Sequence, residues 1–157
     1  MSGTDQWYEE DTPIHVHPKD PFKRIDILTS TRAIRIVVEG VTVAESQSTM
    51  HLYETKLPCR YYMALTSIKP SLLRSSSTKT QCPYKGEAEY FDVVLPSDGA
   101  QDEKVLSDLV WYYDRPTVEC AAVTGMACFY NEKVDIWLDG VKLARPNSPF
   151  STVPVWG

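Results

Sequence analysis

The sequence predicts a mainly β protein, a single domain of antiparallel sheets arranged as a sandwich or a partly open barrel, with one or two short helices. Two tight-turn signals support this fold class. Glu39-Gly40 and Asp139-Gly140 each separate two runs rich in β-branched or apolar residues, as the turns of β-hairpins do. In addition, residues 134–138 alternate between apolar and polar side chains, which is the period of a strand.

The remaining elements are expected to be short. A helix is predicted over 66–73 with Pro70 in its first turn, and 118–123 fits either a short helix or a strand. The Ser/Thr-rich residues 74–80 are expected to be a loop. The segment 84–95 has no cleanly polar face, which predicts a strand covered on both sides. Strands are predicted over 33–38, 41–45, 50–55, 60–65, 84–95, 105–113, 125–130, 134–138 and 141–143.

The chain length predicts one domain. At 157 residues with 43% hydrophobic residues, the chain can bury a sizeable core without disulfides or metals. We expect residues 1–14 to be a flexible lead-in, 15–146 to form the β domain and 147–157 to be a tail.

Composition argues against several classes of partner. The net charge is −5 and basic residues are not clustered, so we expect no nucleic-acid binding. We expect no membrane association either, because no apolar run is long enough to span a bilayer. The acidic N-terminus lacks the apolar core of a signal peptide, which predicts a cytoplasmic protein with reduced thiols. The four cysteines include no C-x-x-C pair, so no structural zinc site is expected, and reduced thiols would form no disulfide. No cofactor is expected, and the sequence leaves the oligomeric state open.

One histidine pair leaves a metal hypothesis open. His15 and His17 would share one face of an extended segment, where two imidazoles could bind a divalent ion if a third ligand joined them. The alternative is that both rings pack and hydrogen-bond near the surface.

Five segments identify a family resemblance. The chain resembles the family known as domain of unknown function 427, and residues 17–28 are similar to the lead-in of its fungal members. The matching segments are EGVTVAES (39–46), YETKLPCRYYM (53–63), TQCPYKGEAEY (80–90), WYYDRP (111–116) and CFYNEKVDIWLDG (128–140).

The resemblance implies a β-tent-like structure, in which two antiparallel sheets meet at an angle with a groove between them. Other β-tent proteins hold zinc on paired C-x-x-C motifs, which this chain lacks. The family has also been called nucleotidyltransferase-like, yet the sequence shows neither a metal-binding carboxylate pattern of that kind nor a phosphate-binding glycine loop. The resemblance therefore implies a fold and site positions but no reaction.

The candidate site is centred on the CPYKG turn. Lys85, Glu54 and Arg60 are the predicted catalytic residues. Lys85 would act as acid, base or electrostatic stabiliser, and Gly86 beside it would allow a ligand or another chain segment to approach closely. The predicted ligand-binding residues are aromatic: Tyr62, Tyr84, Tyr90, Trp111 and Tyr113.

Each of these residues also has a structural interpretation. Lys85 and Glu54 could form an ion pair that holds the two sheets together. Arg60 could bind a carboxylate or oxyanion, or it could cap a sheet edge and stack on a tyrosine. Cys82 could be a nucleophile only with a neighbouring base, for which His51 is the internal candidate, and a packed thiol is the alternative.

Two kinds of function therefore remain open. One is a small-molecule enzyme with isomerase- or cyclase-like acid–base chemistry in a groove around the lysine. The other is a non-catalytic module that binds a metabolite or a protein in the same groove. The sequence does not decide between them.

Overall fold

The computed structural model describes residues 5–9, 12–16, 24–82, 85–96 and 103–148, without the side chains of 5–16 and of Glu119. Residues 1–4 and 10–11 of the predicted lead-in and 149–157 of the predicted tail lie outside the described residues, as do His17, Pro83, Tyr84 and the side chain of His15.

Within this part of the chain, thirteen strands form two antiparallel sheets, which confirms the mainly β prediction. The larger sheet has the strand order β1-β2-β3-β6-β7-β11-β10-β9-β8, and the smaller has the order β13-β12-β4-β5. The larger sheet curls into a half-barrel. The strands are β1 (Asp5–Glu9), β2 (Thr12–Val16), β3 (Arg24–Ser30), β4 (Ile34–Val38), β5 (Val41–Ser46), β6 (Thr49–Glu54), β7 (Arg60–Ala64), β8 (Leu73–Cys82), β9 (Gly86–Pro96), β10 (Glu103–Tyr112), β11 (Met126–Phe129), β12 (Asp135–Leu138) and β13 (Val141–Lys142).

The helices of the described residues are short 3₁₀ turns at Leu65–Ser67, Pro70–Leu72 and Val118–Val123. Pro70 starts the second of them, where its missing N–H costs no hydrogen bond. None of the helices described is long and apolar enough to cross a bilayer.

Both predicted hairpin turns are confirmed. β4 and β5 are joined by Glu39-Gly40, and β12 and β13 by Asp139-Gly140. All four turn residues have positive φ, between 49° and 81°, which is the conformation of the two-residue turn that matches strand twist. These local signals set the register of the smaller sheet.

The two sheets enclose an apolar layer that we call the inter-sheet core. Ile34, Ile36 and Val38 of the smaller sheet meet Val110 and Phe129 of the larger one, and all are almost completely buried. In the described part of the chain, side chains therefore fill the space between the sheets, where the resemblance implied a groove.

A second cluster, the inner cluster, covers the opposite face of the larger sheet. The curl of the sheet and the 3₁₀ turn Val118–Val123 enclose it. β9 contributes to both layers, Ala88 and Tyr90 to the inner cluster and Val93 and Leu95 to the inter-sheet core, which confirms a strand covered on both sides. The members of the inner cluster are Ile25, Leu52, Tyr62, Ala88, Tyr90, Trp111, Tyr113, Cys120, Val123, Cys128 and Tyr130.

Several segments differ from the prediction. Residues 74–80, expected to be a loop, lie within β8, and the sequence pattern did not predict β1 or β3. The single helix predicted over 66–73 is two separate 3₁₀ turns. β8 is the edge strand of its sheet and its side chains alternate between exposed and half-buried. A polar edge strand of this kind lacks the apolar alternation on which strand prediction depends.

Candidate functional site

The curl of the larger sheet brings Lys85 to Glu54. Glu54 ends β6, whereas Lys85 lies in the turn between β8 and β9, with β7, β11 and β10 between β6 and β9. In a flat sheet four strand spacings would separate β6 from β9 by about 19 Å. Lys85 Nζ nevertheless donates to Glu54 Oε1 at 2.9 Å. The ion pair therefore joins distant strands of one sheet, and not the two sheets as the structural interpretation had it.

This ion pair is nearly buried. The side chains of Lys85 and Glu54 are 12% and 4% exposed. Burial disfavours the charged lysine, but the Glu54 carboxylate outweighs it, so the pKa of Lys85 is raised. Lys85 is accordingly an ammonium at neutral pH and not a free base. The thiols of Cys82 and Cys120 lie close enough to contribute to the same pKa shift.

The backbone around Lys85 is held by the loop after β10. Thr117 N donates to Lys85 O at 2.9 Å, and Lys85 N donates to Cys82 O at 3.3 Å. Gly86 has a φ of +111°, and a Cβ at this position would lie 3.1 Å from Arg115 O. The prediction that glycine permits a close approach here is confirmed, and the approaching segment is residues 115–117.

Replacing Gly86 with alanine tests this contact. We expect Gly86→Ala to lower the free energy of unfolding by about 2–3 kcal/mol, because the positive φ is strained for an L residue and the Cβ meets backbone. Gly40→Ala is the control, since Gly40 also has a positive φ but a Cβ added there would meet no atom within 4 Å. Urea denaturation of both variants should show a smaller loss for Gly40→Ala, and equal losses would contradict a contact at Gly86.

The inner cluster is a buried aromatic layer beside the ion pair. Tyr62, Tyr90, Trp111 and Tyr113, four of the predicted ligand-binding residues, all belong to it and are 0–5% exposed. Trp111 Nε1 donates to the Tyr62 hydroxyl at 2.9 Å, and the Tyr90 hydroxyl lies 2.8 Å from Thr80 Oγ1. These bonds fix the polar ends of the rings within an apolar layer.

Tyr113 lies close enough to the charged pair for Glu54 to influence its hydroxyl. Burial is the main cause of its raised pKa, and Cys82, Tyr90, Cys120 and Glu54 add to it. The phenol is therefore neutral and can donate a hydrogen bond. Tyr113 therefore adds a hydrogen-bonding group in the neighbourhood of Glu54.

Arg60 forms a second buried ion pair, with Glu132. Nη1 and Nη2 donate to the two carboxylate oxygens at 2.5 and 2.9 Å, and Nη1 also donates to Asn131 Oδ1. The guanidinium lies over the rings of Trp111 and Tyr130, 5.2 and 5.7 Å from their centroids. Burial favours a neutral carboxyl, but Arg60 outweighs it and lowers the pKa of Glu132.

Sequence reasoning missed Glu132, Asn131 and Tyr130. The segment 131–133 forms a turn between β11 and β12, in which Lys133 N donates to Tyr130 O. The available signal was a carboxylate directly after a buried strand, since such a charge needs a partner.

Cys82 and His51 lie on different faces of the larger sheet. The His51 ring packs edge-on against Tyr61, which contacts the inter-sheet core, whereas Cys82 adjoins Lys85. Burial is the main cause of the lowered pKa of His51, so this ring is neutral at pH 7. His51 is thus not positioned to activate Cys82. No group of three potential metal ligands occurs among the described residues.

A known protein family matches the part of the chain that contains these residues. Residues 26–140 match the family described as domain of unknown function (DUF427). The chain belongs to this family. No curated protein matches the sequence. The matched span of the DUF427 chain includes Glu54, Arg60, Lys85 and the inner cluster apart from Ile25.

Proposed function

We propose that this DUF427 chain binds a small organic anion or carbonyl compound beside Lys85. The observation that carries the proposal is the number of hydrogen bonds that the nearly buried Lys85 ammonium forms. It has three N–H donors, and Glu54 Oε1 is its one hydrogen-bond acceptor among the described residues. The side chain is only 12% exposed. Two N–H donors of a nearly buried cation thus need acceptors that a ligand oxygen or water can supply.

The surroundings favour a ligand with a flat, unsaturated body. Tyr113 has a neutral hydroxyl group near the ion pair, and the Tyr90 ring lies in the same buried cluster. Aromatic lining with a few convergent polar groups is typical of small-molecule sites. An aromatic carboxylate combines an anionic acceptor for Lys85 with a ring for the tyrosines.

Catalysis is the second candidate, supported by the direct contact of an acid with a base. Lys85 would protonate or stabilise a developing oxyanion, and Glu54 would take up a proton from the ligand. The raised pKa keeps Lys85 charged, which suits a hydrogen-bond donor that stabilises an oxyanion and not a base. Arg60 would contribute by positioning Trp111 and Tyr130, because Glu132 and Asn131 already accept from its guanidinium.

The binding proposal is tested with Lys85→Met. A panel of small aromatic carboxylates, headed by benzoate, is screened by native mass spectrometry and isothermal titration, with benzamide as the neutral comparison. We expect Lys85→Met to weaken the best carboxylate roughly 10- to 100-fold, the value of a hydrogen bond to a charged group. Lys79→Met, at an exposed lysine, should leave affinity unchanged. Equal affinities of wild type and Lys85→Met would overturn the proposal.

Lys85→Arg separates binding from catalysis. Arginine keeps the charge and the N–H donors but does not release a proton near neutral pH. Affinity should therefore persist in this variant, while any turnover that depends on proton donation should be lost. We also propose a cytoplasmic protein of the fungal type, in line with the resemblance of residues 17–28 to the lead-in of fungal members.

A further inference from the structure

A short C-terminal segment, which we call the strap (residues 143–148), lies across one edge of the fold. It begins where Leu143 N donates to Ile136 O at 2.8 Å and the Leu143 side chain packs on the inter-sheet core. It continues through Arg145, whose Nε lies 3.1 Å from Asp135 Oδ1. At its end the Ser148 hydroxyl donates to Glu132 Oε2 at 2.5 Å. Ser148 is therefore attached to the buried Arg60–Glu132 pair.

The strap forms one wall of a cavity of about 180 Å³. Leu143, Ala144, Arg145 and Pro146 line one side. The opposite side is mostly apolar but includes the half-buried thiol of Cys59. Lining residues outside the strap are Pro58, Cys59, Tyr61, Asn131, Val134 and Ile136. The residues that line this cavity do not include Lys85 or Glu54, so it is separate from the position beside Lys85.

We infer that Ser148 is a phosphorylation site whose modification releases the strap and opens this cavity. Ser148 is followed directly by Pro149, the residue that proline-directed kinases select after the phosphorylated serine, and Arg145 lies three residues before it, where basophilic kinases select a basic residue. Residues 143–148 form no helix or strand, and Arg145 and Asn147 are exposed. A kinase can therefore bind this stretch in an extended conformation.

Phosphoryl transfer changes the Ser148 contact from attractive to repulsive. The Ser148 Oγ attacks the γ-phosphorus of a nucleoside triphosphate, the bond to the β-phosphate oxygen breaks, and the hydroxyl proton passes to the base of the kinase. The resulting ester oxygen has no hydrogen to donate to Glu132. The phosphate group also places a charge of about −1.5 to −2 against a carboxylate that Arg60 keeps ionised.

Arg60 does not relieve this repulsion. Both of its terminal nitrogens already donate to Glu132, and one of them also donates to Asn131. A phosphate at Ser148 would have to compete with these buried bonds. We therefore expect the end of the strap to leave Glu132 and expose Cys59.

The first test asks whether Ser148 is a substrate. The purified full chain is incubated with a proline-directed protein kinase and a nucleoside triphosphate, and the modified residue is mapped by mass spectrometry. The chain has one other Ser/Thr-Pro pair, Thr12-Pro13, which lacks the basic residue three positions earlier. Labelling should be lost in Ser148→Ala and persist in Thr12→Ala. A kinase that leaves Ser148 unmodified would overturn the inference.

The second test measures release through the reactivity of Cys59. Phosphoserine is installed at position 148 during synthesis, and the alkylation of Cys59 by iodoacetamide is followed by peptide mapping. We expect alkylation at least ~10-fold faster than in the unmodified chain, because local opening exposes the thiol. Ser148→Ala, which loses the hydrogen bond without gaining charge, should show a smaller increase. An unchanged rate in the phosphoserine protein would show that the strap stays in place and would overturn the proposed release.

Discussion

We expect Glu132→Ala to lower the free energy of unfolding by about 3–5 kcal/mol. The Glu132 carboxylate is fully buried and accepts two bonds from Arg60, whose own side chain is 5% exposed. Removing the carboxylate leaves a buried guanidinium without its counter-charge, and that desolvation penalty exceeds the net value of the pair itself. Urea denaturation followed by tryptophan fluorescence measures the loss.

The control for this variant is Glu103→Ala. Glu103 pairs with Arg74 at 2.9 Å, but both side chains are more than half exposed, so the expected change is within about 1 kcal/mol. A double replacement, Arg60→Met with Glu132→Leu, should recover most of the lost stability, because it removes the unpaired charge along with its partner. A double variant as unstable as Glu132→Ala would show that the loss comes from packing and not from the orphaned charge.

The pKa of Glu132 also predicts acid sensitivity. Because the folded pKa is lowered, the contribution of this group to stability is present above the unfolded value of about 4.3 and declines as the pH falls towards the folded pKa. The wild type should therefore lose stability on acidification below about pH 5. Glu132→Ala should lack this part of the acid-dependent loss in the same urea titration.

Local sequence signals predicted the parts of the fold that local sterics decide. Glu39-Gly40 and Asp139-Gly140 are hairpin turns because glycine and an acidic residue tolerate positive φ, whatever the rest of the chain does. β3 and β8 were missed because their existence depends on distant partners. β3 pairs with β6, and β8 supplies a polar edge to β9.

The curl of the larger sheet explains why the sequence predicted the residues of the site but not their arrangement. The pairing of Lys85 with Glu54 was predicted from residue chemistry, but alternation along a strand does not reveal that one sheet bends far enough to bring β6 and the β8–β9 turn together. The same bend places Arg60 over Trp111 and Tyr130, where Glu132 reaches it. Burial of these charges is a property of the curled sheet and not of any one segment.

Loss of the Glu54 carboxylate should change the pH dependence of stability as well as its size. At neutral pH we expect Glu54→Gln to cost about 3 kcal/mol, because Lys85 is left as a nearly buried ammonium without its counter-ion. In the wild type the folded pKa of Lys85 is raised above its ordinary value of 10.5. The contribution of the wild-type lysine is therefore fully present below the unfolded pKa and is lost as the pH rises through the folded one.

In Glu54→Gln the sign of this dependence reverses. Burial is the largest influence on Lys85, and without the carboxylate it lowers the folded pKa below the unfolded value. The variant should become more stable as the pH rises between the lowered folded pKa and the unfolded pKa, because there the folded lysine has lost its proton and the unfolded lysine keeps it. Over the same range the wild type should gain no stability from Lys85. The double variant Glu54→Leu with Lys85→Met lacks the lysine, so its stability should show no pH dependence from this group. A flat profile for Glu54→Gln would mean that Lys85 reaches solvent once its partner is gone, so that the pair and not the fold keeps the ammonium buried.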